Sequence, residues 1–496
     1  MPCRGRKSWA FLFLILITNA TLAFCQPANL YTFGPDVEIT EAPPNDGTSI
    51  LFYSSGQHYT AFRGDTVYVV WWESRASTPP TGNHVFFAKS TDKGQTFGPN
   101  IRVNSTAAAF NPSMRVDTAG IIYVAYERQG NIFFTKSTDG GNSFAPAIQV
   151  VDATGLPYFQ ELPSIAVNSR GQVFIAWIDY RTDPQSIFTA ASYDSGNTFL
   201  PNVNVDTAAK AKGPPDISAS SGGRVYVAYS EVQPDVQQVV LARSDDSGRS
   251  FDLHSNVSDV PAGGTGWGAI NPSLATDGDA QIGVVWQDRR FNFGQFTLRF
   301  SESTDYGQTF SPSVRVDDDS DLKGESSPTI PSLVWRNGVF YVSWLEGRIL
   351  PSDPFQEYTF HIFFSYSVNR GQSFAVNKPA FFDTNGYLIP HRPGLSVNEA
   401  GEAFVAWLDA RHDPLISERW HIFGAVGIPM VVKGDLNLDS LLTPADVVLE
   451  LNAVFLQQTF PSPFEAADVN CDSELTVADV VLHLNATFLG EPFPCS

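Results

Sequence analysis

The feature that most constrains the fold of this chain is one turn that occurs in close copies along the sequence. The first copy is STDKGQTF at residues 90–97, and the later ones are STDGGNSF, SYDSGNTF, SDDSGRSF, STDYGQTF and SVNRGQSF. An Asp or Asn in third position can accept backbone hydrogen bonds, and the fifth-position Gly tolerates positive φ. The repetition predicts a chain assembled from one repeated structural unit.

The repeated unit is larger than the turn. An apolar run that contains an aromatic residue precedes each turn, as in VYVVWWESR at 67–75 and VFIAWIDYR at 173–181. The aligned aromatic residues are Trp71, Tyr126, Trp177, Tyr229, Trp286, Trp344 and Trp407. The third unit shows four strand-like runs, LPSIAVNS, VFIAWID, IFTAASYD and PNVNVD, separated by turn-forming residues. Four strands per unit at this period are typical of a β-propeller blade.

The number of blades follows from the two ends of the repeat. The last unit stops after WHIFGAVG without its turn, whereas YTFGPDVEIT at 31–40 matches the segment QTFGPNIRVN that follows the first turn. We therefore predict that the N-terminal strand closes the last blade, which removes exposed sheet edges. The prediction is an all-β, seven-bladed propeller within residues 26–430, with a six-bladed ring containing one irregular unit as the alternative.

Acid–arginine pairs recur at one position of the repeat. The arginines are Arg75, Arg181, Arg290, Arg348 and Arg411, and the acids two residues earlier are Glu73, Asp179, Asp288, Glu346 and Asp409. A catalytic group breaks the symmetry of a repeat, so a residue present in most blades is expected to serve the blade. We interpret these pairs as structural ion pairs at strand ends.

Candidate ligand-binding residues lie where the repeat is broken. The connections into the innermost strands differ between blades: PYFQELPS (157–164), GTGWGAINPS (264–273), KGESSPTIPS (323–332) and YLIPHRPG (387–394). Such connections should surround the mouth of the central channel, where aromatic and polar side chains can contact a ligand. The candidates are Tyr158, Glu161, Trp267, Glu325, His391 and Arg392, each of which could instead be an ordinary loop residue.

The character of the sequence changes at about residue 431. The segments GDLNLDSLLTPADVVLELNAVFL and ADVNCDSELTVADVVLHLNATFL are near duplicates, each an acidic loop followed by a helix-period run. The pattern D-x-N-x-D-x6-D puts oxygen ligands at positions 1, 3, 5 and 12, as in a calcium loop. The predicted ligands are Asp435, Asn437, Asp439 and Asp446 in the first loop, and Asp468, Asn470, Asp472 and Asp479 in the second. We predict a small α-helical domain over residues 431–496 that binds two calcium ions, with backbone oxygens of Leu441 and Glu474 at position 7.

The N-terminus and the cysteines indicate export. Arg4, Arg6 and Lys7 precede the apolar run WAFLFLILITNATLAF, so we predict a signal peptide at residues 1–25 and a secreted or extracellular-surface protein. Cys471 and Cys495 remain in the mature chain and form a plausible disulfide. The net charge of −21 argues against nucleic acid or an anionic membrane as partner, and no membrane span is expected after the signal.

The repeated turn resembles the Asp-box, or BNR, repeat of sialidase-like propellers. The matching residues are Asp92, Asp139, Asp194, Asp246 and Asp305, with Asn369 in the sixth copy. The resemblance implies that the turns are structural and lie on the face away from an active site. It also implies three arginines that bind a substrate carboxylate, a tyrosine nucleophile activated by a glutamate, and an aspartate as acid/base. The family's Arg-Ile-Pro motif is absent, AFRGD around Arg63 lacking its proline, and the sequence assigns no catalytic residue.

The duplicated C-terminal segment resembles a type I dockerin, the module that attaches enzymes to scaffolding cohesins. Ser440 and Ser473 stand where glycine is common, and Pro444–Ala445 and Val477–Ala478 replace the usual hydroxyl-bearing recognition pair. The two resemblances together imply an exported protein that recognises or processes a glycan and attaches to a cohesin-like partner. Carbohydrate or glycoprotein is the expected ligand. An active exo-glycosidase of the sialidase type is the alternative.

Overall fold

The computed structural model of the protein describes most of residues 30–494. The described ranges are 30–41, 58–75, 82–105, 108–152, 159–208, 210, 212–233, 236–261, 268–278, 280–290, 296–318, 328–348, 359–380, 391–409, 420–430, 433–437, 442–458 and 464–494.

The described strands form seven antiparallel sheets. In six of the sheets, neighbouring strands are also consecutive in the chain, and the seventh sheet combines strands from the two ends of the propeller, so that each sheet is one blade. The first blade is β3 (Thr60–Arg63), β4 (Thr66–Arg75), β5 (Gly82–Ser90) and β6 (Ile101–Arg102). The second is β7 (Ala109–Val116), β8 (Ile122–Arg128), β9 (Asn131–Ser137) and β10 (Ile148–Gln149), and the third is β11 (Gln160–Val167), β12 (Val173–Asp179), β13 (Ser186–Ser192) and β14 (Val203–Asn204).

The remaining blades repeat this arrangement. The fourth is β15 (Asp216–Ala219), β16 (Val225–Val232), β17 (Gln237–Ser244) and β18 (Leu253–Asn256), and the fifth is β19 (Ala269–Thr276), β20 (Ile282–Asp288), β21 (Thr297–Ser303) and β22 (Val314–Arg315). The sixth is β23 (Thr329–Arg336), β24 (Val339–Arg348), β25 (Thr359–Ser367) and β26 (Lys378–Pro379). The seventh contains β27 (His391–Val397), β28 (Ala403–Asp409) and β29 (His421–Pro429), with β1 (Tyr31–Phe33) and β2 (Val37–Glu38) paired to β29.

The two ends of the propeller meet in the seventh blade. Tyr31 is opposite Pro429 and Phe33 is opposite Gly427 in an antiparallel pair. The predicted closure by the N-terminal strand is thus present, the predicted seven-bladed fold is confirmed, and the six-bladed alternative is wrong.

The core lies between neighbouring blades. The seven aligned aromatic residues on the second strands are all fully buried. Tyr226 and Leu241 of the fourth blade, for example, belong to one apolar cluster with Leu274 and Ile282 of the fifth. A four-stranded sheet has two apolar faces, so each blade depends on both neighbours for its hydrophobic stabilisation.

The repeated turns join each blade to the preceding one. In the second blade, Ser137 Oγ accepts from the Gly141 N–H at 2.8 Å, and Asp139 Oδ1 accepts from the Ser143 N–H at 3.0 Å. A Cβ on Gly141 would lie 2.3 Å from the Phe87 ring of the first blade, so glycine is required for this approach as well as for its φ of +87°. Phe144 then packs edge-on against Phe87, with ring centroids 5.5 Å apart.

A ring of small side chains connects the innermost strands around the channel. Five of these strands carry a β-bulge with a left-handed residue before a proline, and the left-handed residues are Asn111, Leu162, Asn271, Ile330 and Arg392. The serine after the proline accepts the N–H of the next innermost strand. The pairs are Ser113 with Ile165 (3.3 Å), Ser164 with Ile217 (3.3 Å), Ser273 with Leu333 (3.0 Å) and Ser332 with Leu395 (3.2 Å). The bulges therefore set the register from blade to blade.

The C-terminal region is helical, as expected. It contains α1 (Pro444–Leu456), α2 (Phe464–Ala467) and α3 (Val477–Leu489). Thr443 with Asp446, and Thr476 with Asp479, form capping boxes at the starts of α1 and α3. In the part of the chain that the structure describes, no helix is long and apolar enough to cross a membrane.

Candidate functional site

The two ends of the channel differ in their chain connections. The repeated turns, which follow the third strands, lie at the same end of the channel as the turns after the innermost strands, because the Lys93 N–H donates to the carbonyl of Asp65 at 2.8 Å. The opposite end, which we term the channel mouth, receives the starts of the innermost strands and the ends of the second strands. Loops at this end vary from blade to blade, so this is where a specific ligand is expected.

The repeated acid–arginine pairs at this end are structural. Glu73 accepts from Trp71 Nε1 at 2.9 Å and from Arg75 Nε at 2.8 Å, and the Arg75 guanidinium lies 4.0 Å from the centroid of the Phe86 ring. Equivalent tryptophan–acid–arginine contacts occur at Asp179, Asp288 and Glu346. Each acid is buried and fixes the tryptophan of its own blade. Asp409 holds Trp407 in the same way at 3.3 Å, and Arg411 lies outside the described residues.

Glu127 breaks the symmetry of the channel mouth. It stands one position after the buried Tyr126, where the other blades carry Trp72, Ile178, Ser230, Gln287, Leu345 and Leu408. Its Oε1 accepts from the Leu162 N–H at 2.5 Å and from Asn111 Nδ2 at 2.7 Å. Burial, with a smaller contribution from the nearby Glu161, raises the pKa of Glu127 to about 7 against the opposing effect of these hydrogen bonds. A carboxyl group with this pKa can give or take a proton near neutral pH.

Glu161 and Tyr180 form a hydrogen-bonded pair beside Glu127. The Tyr180 hydroxyl donates to Glu161 Oε1 at 2.5 Å. Burial and this hydrogen bond raise the pKa of Tyr180 to about 12. Glu161 lies on β11 and Tyr180 directly follows β12. Tyr180 is 38% exposed, and its hydrogen bond to Glu161 lies at the surface. We define Glu127, Glu161 and Tyr180 as the mouth cluster.

An exposed aromatic ring adjoins the mouth cluster. Phe159 is 66% exposed, and its carbonyl accepts from the Tyr180 N–H at 3.1 Å. Aromatic rings exposed beside polar groups suit the apolar faces of sugars, so Phe159 is a candidate stacking residue. A Cβ on Gly130 would lie 2.9 Å from this ring, so the glycine leaves space for it.

The sequence candidates divide into three groups. Glu161 lies in the mouth cluster. His391 and Arg392 begin the innermost strand of the seventh blade, where the His391 ring contacts Trp420 at a centroid distance of 5.0 Å and the Arg392 carbonyl accepts from the Tyr59 hydroxyl. Tyr158, Trp267 and Glu325 lie outside the described residues.

Glu127 and Tyr180 were not identified from the sequence. Tyr180 sits inside WIDYR, a run that reads as the ordinary tryptophan–acid–arginine unit. A comparison of the repeats by position would have found Glu127, because it is the only acid at that position in the seven aligned runs. The pairing of Tyr180 with Glu161 depends on strand register, which the sequence does not contain.

The structure describes more of the second predicted calcium loop than of the first. In the second loop, the Asp472 N–H lies 3.1 Å from Asp468 Oδ1 and 2.9 Å from Asn470 Oδ1, so the oxygens at positions 1 and 3 converge. Asp479 Oδ1 accepts from the Asn470 N–H at 3.2 Å. In the first loop, Asp446 accepts from Leu436 and Asn437, Asp435 is buried, and Asp439 lies outside the described residues.

These donor sets fit a hard divalent cation, because every side-chain ligand is a carboxylate or amide oxygen. Among the described residues, no three His, Cys, Asp or Glu side chains cluster closely enough to hold a metal. In the second loop the side-chain oxygens of Asp468 and Asn470 lie near the same N–H, and in the first loop the predicted ligand Asp439 lies outside the described residues. Calcium binding therefore stays a prediction.

Cys471 is disulfide-bonded. Cys495 lies outside the described residues, so the predicted Cys471–Cys495 pairing stays a prediction.

No family model and no curated protein matches this chain. Solved structures do resemble it. A Dyadobacter fermentans protein of unknown function shares 13% identity, with 80% of this chain and 99% of that chain covered and a TM-score of 0.46. A Hadza microbial sialidase shares 14% identity over 72% and 75% of the two chains, with a TM-score of 0.43. An α-L-arabinanase of Penicillium chrysogenum shares 17% identity over 64% and 92%, with a TM-score of 0.40. At such distances these similarities assign no activity, and the fold rests on the seven sheets themselves.

Proposed function

We propose that the channel mouth binds a glycan and hydrolyses a glycosidic bond, with the mouth cluster as its catalytic groups. The observation that carries this proposal is the protonatable carboxyl of Glu127 beside the Tyr180–Glu161 pair. Proton donation to a leaving oxygen needs an acid whose pKa is near the working pH, and burial gives Glu127 that property.

The resemblance to sialidase-like propellers supplies roles for these groups. Glu161 accepts the proton of the Tyr180 hydroxyl while the phenolic oxygen forms a bond to the anomeric carbon. The glycosidic carbon–oxygen bond breaks, and the leaving oxygen takes the proton of Glu127. Water then attacks the anomeric carbon and gives one of its protons to Glu127. The bond between the anomeric carbon and the Tyr180 oxygen breaks, and this oxygen recovers its proton from Glu161. Glu127 thus replaces the aspartate that the resemblance implies as acid/base.

A recognition module without catalysis is the second candidate, and one observation favours it. In the fifth blade, Asn271 Nδ2 donates to Gln287 Oε1 at 2.6 Å, which reproduces the Asn111–Glu127 contact with a side chain that does not titrate. Glu127 can therefore be read as a structural support of the bulge at Asn111. In that case the mouth binds a glycan through Phe159 and the polar groups around it.

The C-terminal helices support a docking role within the same proposal. Exposed apolar side chains occupy equivalent positions on α1 and α3: Val448 and Val481, Phe455 and Phe488, and Leu456 and Leu489. We propose that a calcium-loaded, dockerin-like domain presents these residues to a cohesin-like partner of an exported protein. Asp435, Asn437, Asp439 and Asp446, with Asp468, Asn470, Asp472 and Asp479, would hold the two ions.

The test of the catalytic proposal is mass spectrometry of mixed glycans, including sialylated ones, incubated with the purified mature protein and calcium. We expect release of a terminal sugar, and we expect Glu127→Gln to abolish it because the amide cannot donate a catalytic proton. Gln287 shows that glutamine fits this position, so the variant should fold.

The matched control is Glu302→Gln. Burial also raises the pKa of Glu302, but this residue lies next to Ser303, which begins an Asp-box turn at the other end of the channel. Equal release by wild type and Glu127→Gln would exclude the catalytic role of Glu127. Glycan retained without cleavage would establish the recognition module.

A further inference from the structure

A cavity of about 250 Å³ occupies the end of the channel opposite the mouth. We term it the lower pocket. Innermost strands of the first, second, fourth, fifth, sixth and seventh blades line it, and its walls include Leu333, Trp335 and Val397. Its size is slightly below the range of about 300–1,000 Å³ typical of small-molecule pockets, which suits one small molecule but not a polymer.

Three arginines line the lower pocket. They are Arg63 of the first blade, Arg115 of the second and Arg336 of the sixth. The tryptophan–acid–arginine units lie at the other end of the channel, so these arginines are not part of the repeat. An asymmetric group of cations in a concave site is unusual for a chain of net charge −21.

Among the described residues, the carboxylates near Arg115 do little to offset its buried positive charge. Asp216 is engaged by His58 Nε2 at 2.6 Å, by Ser164 Oγ at 3.0 Å and by the Leu274 N–H at 2.7 Å. Among the described residues, the guanidinium of Arg115 donates to the Met114 carbonyl at 3.1 Å, and Asp216 reaches it only through its electrostatic field. Burial lowers the pKa of Arg115 to about 10, so the group stays charged at neutral pH and would gain from an anion.

Arg63 and Arg336 share one exposed carboxylate at the rim. Glu399 Oε1 lies 3.4 Å from Arg63 Nη2 and 3.8 Å from Arg336 Nη2, and its side chain is half-exposed. Such a screened carboxylate is a weak partner that a better placed oxyanion can displace. Burial also lowers the pKa of Arg336, and the proximity of Arg63 adds to this effect.

We propose that the lower pocket is a binding site for a small oxyanion, a molecule that carries a carboxylate, sulfate or phosphate group. Guanidinium groups bind such anions through paired, charge-assisted hydrogen bonds. Arg115 contacts the anion deep in the pocket, and Arg63 and Arg336 close around it at the rim. His58, which contacts Asp216, lines the pocket, whereas no residue of the mouth cluster does, so the site is separate from that cluster and does not depend on the proposed catalysis.

The test is isothermal titration calorimetry of the full-length protein at low ionic strength with three probes. Sodium sulfate represents a free inorganic anion, sodium glucuronate represents an organic acid, and glucose is the uncharged control. We expect heat from sulfate, glucuronate or both, none from glucose, and weaker binding as salt is added. Sulfate alone would identify an inorganic anion as the ligand, and glucuronate would identify an organic one.

Arg115→Gln should weaken binding about tenfold or more, because it removes a charged donor from the deepest part of the pocket. The matched control is Arg170→Gln. Arg170 is exposed in the turn that follows the innermost strand of the third blade, and it does not line the pocket. Arg63→Gln at the rim provides a second variant if Arg115→Gln does not fold. No heat from either anion, or equal affinity in wild type and both pocket variants, would overturn the proposal.

Discussion

His58 Nε2 lies 2.6 Å from Asp216 Oδ1, and this contact joins the first blade to the fourth across the channel. Asp216 takes the place that serine occupies in the ring of innermost strands, and its second oxygen accepts the Leu274 N–H of the fifth blade at 2.7 Å. Burial raises the pKa of Asp216, but His58 and Arg115 outweigh that effect and lower it. The carboxylate is therefore ionised and accepts hydrogen bonds from residues of three blades.

Asp216→Ala should destabilise the propeller by about 2–5 kcal/mol, because it leaves several buried donors without an acceptor. The measurement is the free energy of unfolding in urea. Asp245→Ala is the control, since Asp245 pairs with Arg224 and Arg243 at the surface and should contribute less than about 1 kcal/mol. Equal effects of the two variants would contradict a role for Asp216 in joining the blades.

The contribution of His58 to the stability of the propeller should be lost on mild acidification, opposite in sign to that of Glu127, whose raised pKa favours the folded state at lower pH. Burial, followed by the charge of Arg115, lowers the pKa of His58, so the folded state binds fewer protons than the unfolded state below the ordinary value of 6.5. The stability that His58 contributes is then fully present above about pH 6.5 and is lost as the pH falls below it. Burial lowers the pKa of His391 with the same sign. His58→Gln should reduce the slope of the unfolding free energy between about pH 6.5 and 5, and a slope unchanged from wild type would exclude His58 as its source.

Asp305→Ala should lower the stability of the fifth blade by about 1–2 kcal/mol without affecting ligand binding at the mouth. The change removes acceptors for the Thr309 N–H at 2.9 Å and for Thr309 Oγ1 at 2.7 Å. Asp305→Asn should cost much less, because Asn369 makes the corresponding contacts with Ser373 in the sixth blade. Thermal melting and glycan binding measured together would separate these effects, and a selective binding defect would mean that the turn belongs to a functional face.

Glycan release should depend on pH through Glu127. As general acid this residue must be protonated before the reaction, so the rate should fall as the pH rises through about 7. Tyr180→Phe should reduce kcat by a factor of about 100 or more while the fold is retained, because the hydroxyl is at the surface. A pH profile that is flat across neutrality would show that Glu127 does not donate the proton.

Removal of calcium should unfold the C-terminal helices and leave the propeller intact. The predicted ligands belong to residues 435–479 alone, and carboxylates gathered in one loop repel each other without a cation. Circular dichroism with limited proteolysis in a chelator should report the loss of α1 and α3. A simultaneous loss of the melting transition of the propeller would contradict the assignment.

The repeat allowed the blades to be predicted, because each blade is a local unit whose strands are adjacent in the sequence. Closure by residues 31–33 could also be predicted, since YTFGPDVEIT keeps the pattern of the missing fourth strand. The loops that break the pattern drew attention to Glu161, and the structure places this residue beside Glu127 and Tyr180.

Contacts across the channel could not be predicted in this way. His58 and Asp216 are 158 residues apart, and Arg63, Arg115 and Arg336 come from three separate blades. Their proximity follows from the diameter and curvature of a closed ring, to which every blade contributes. The Tyr180–Glu161 hydrogen bond depends on a bulge after Glu161 that shifts the pairing of β11 with β12.

The closure of the seventh blade has a mechanical consequence. β29 ends at Pro429, immediately before the C-terminal region, and it is paired with β28 on one edge and with β1 and β2 on the other. Tension applied to the C-terminal region would reach the propeller through this strand. The backbone hydrogen bonds along both of its edges would resist that pull. The strand pairing that closes the ring would therefore also bear the load between the C-terminal region and the propeller.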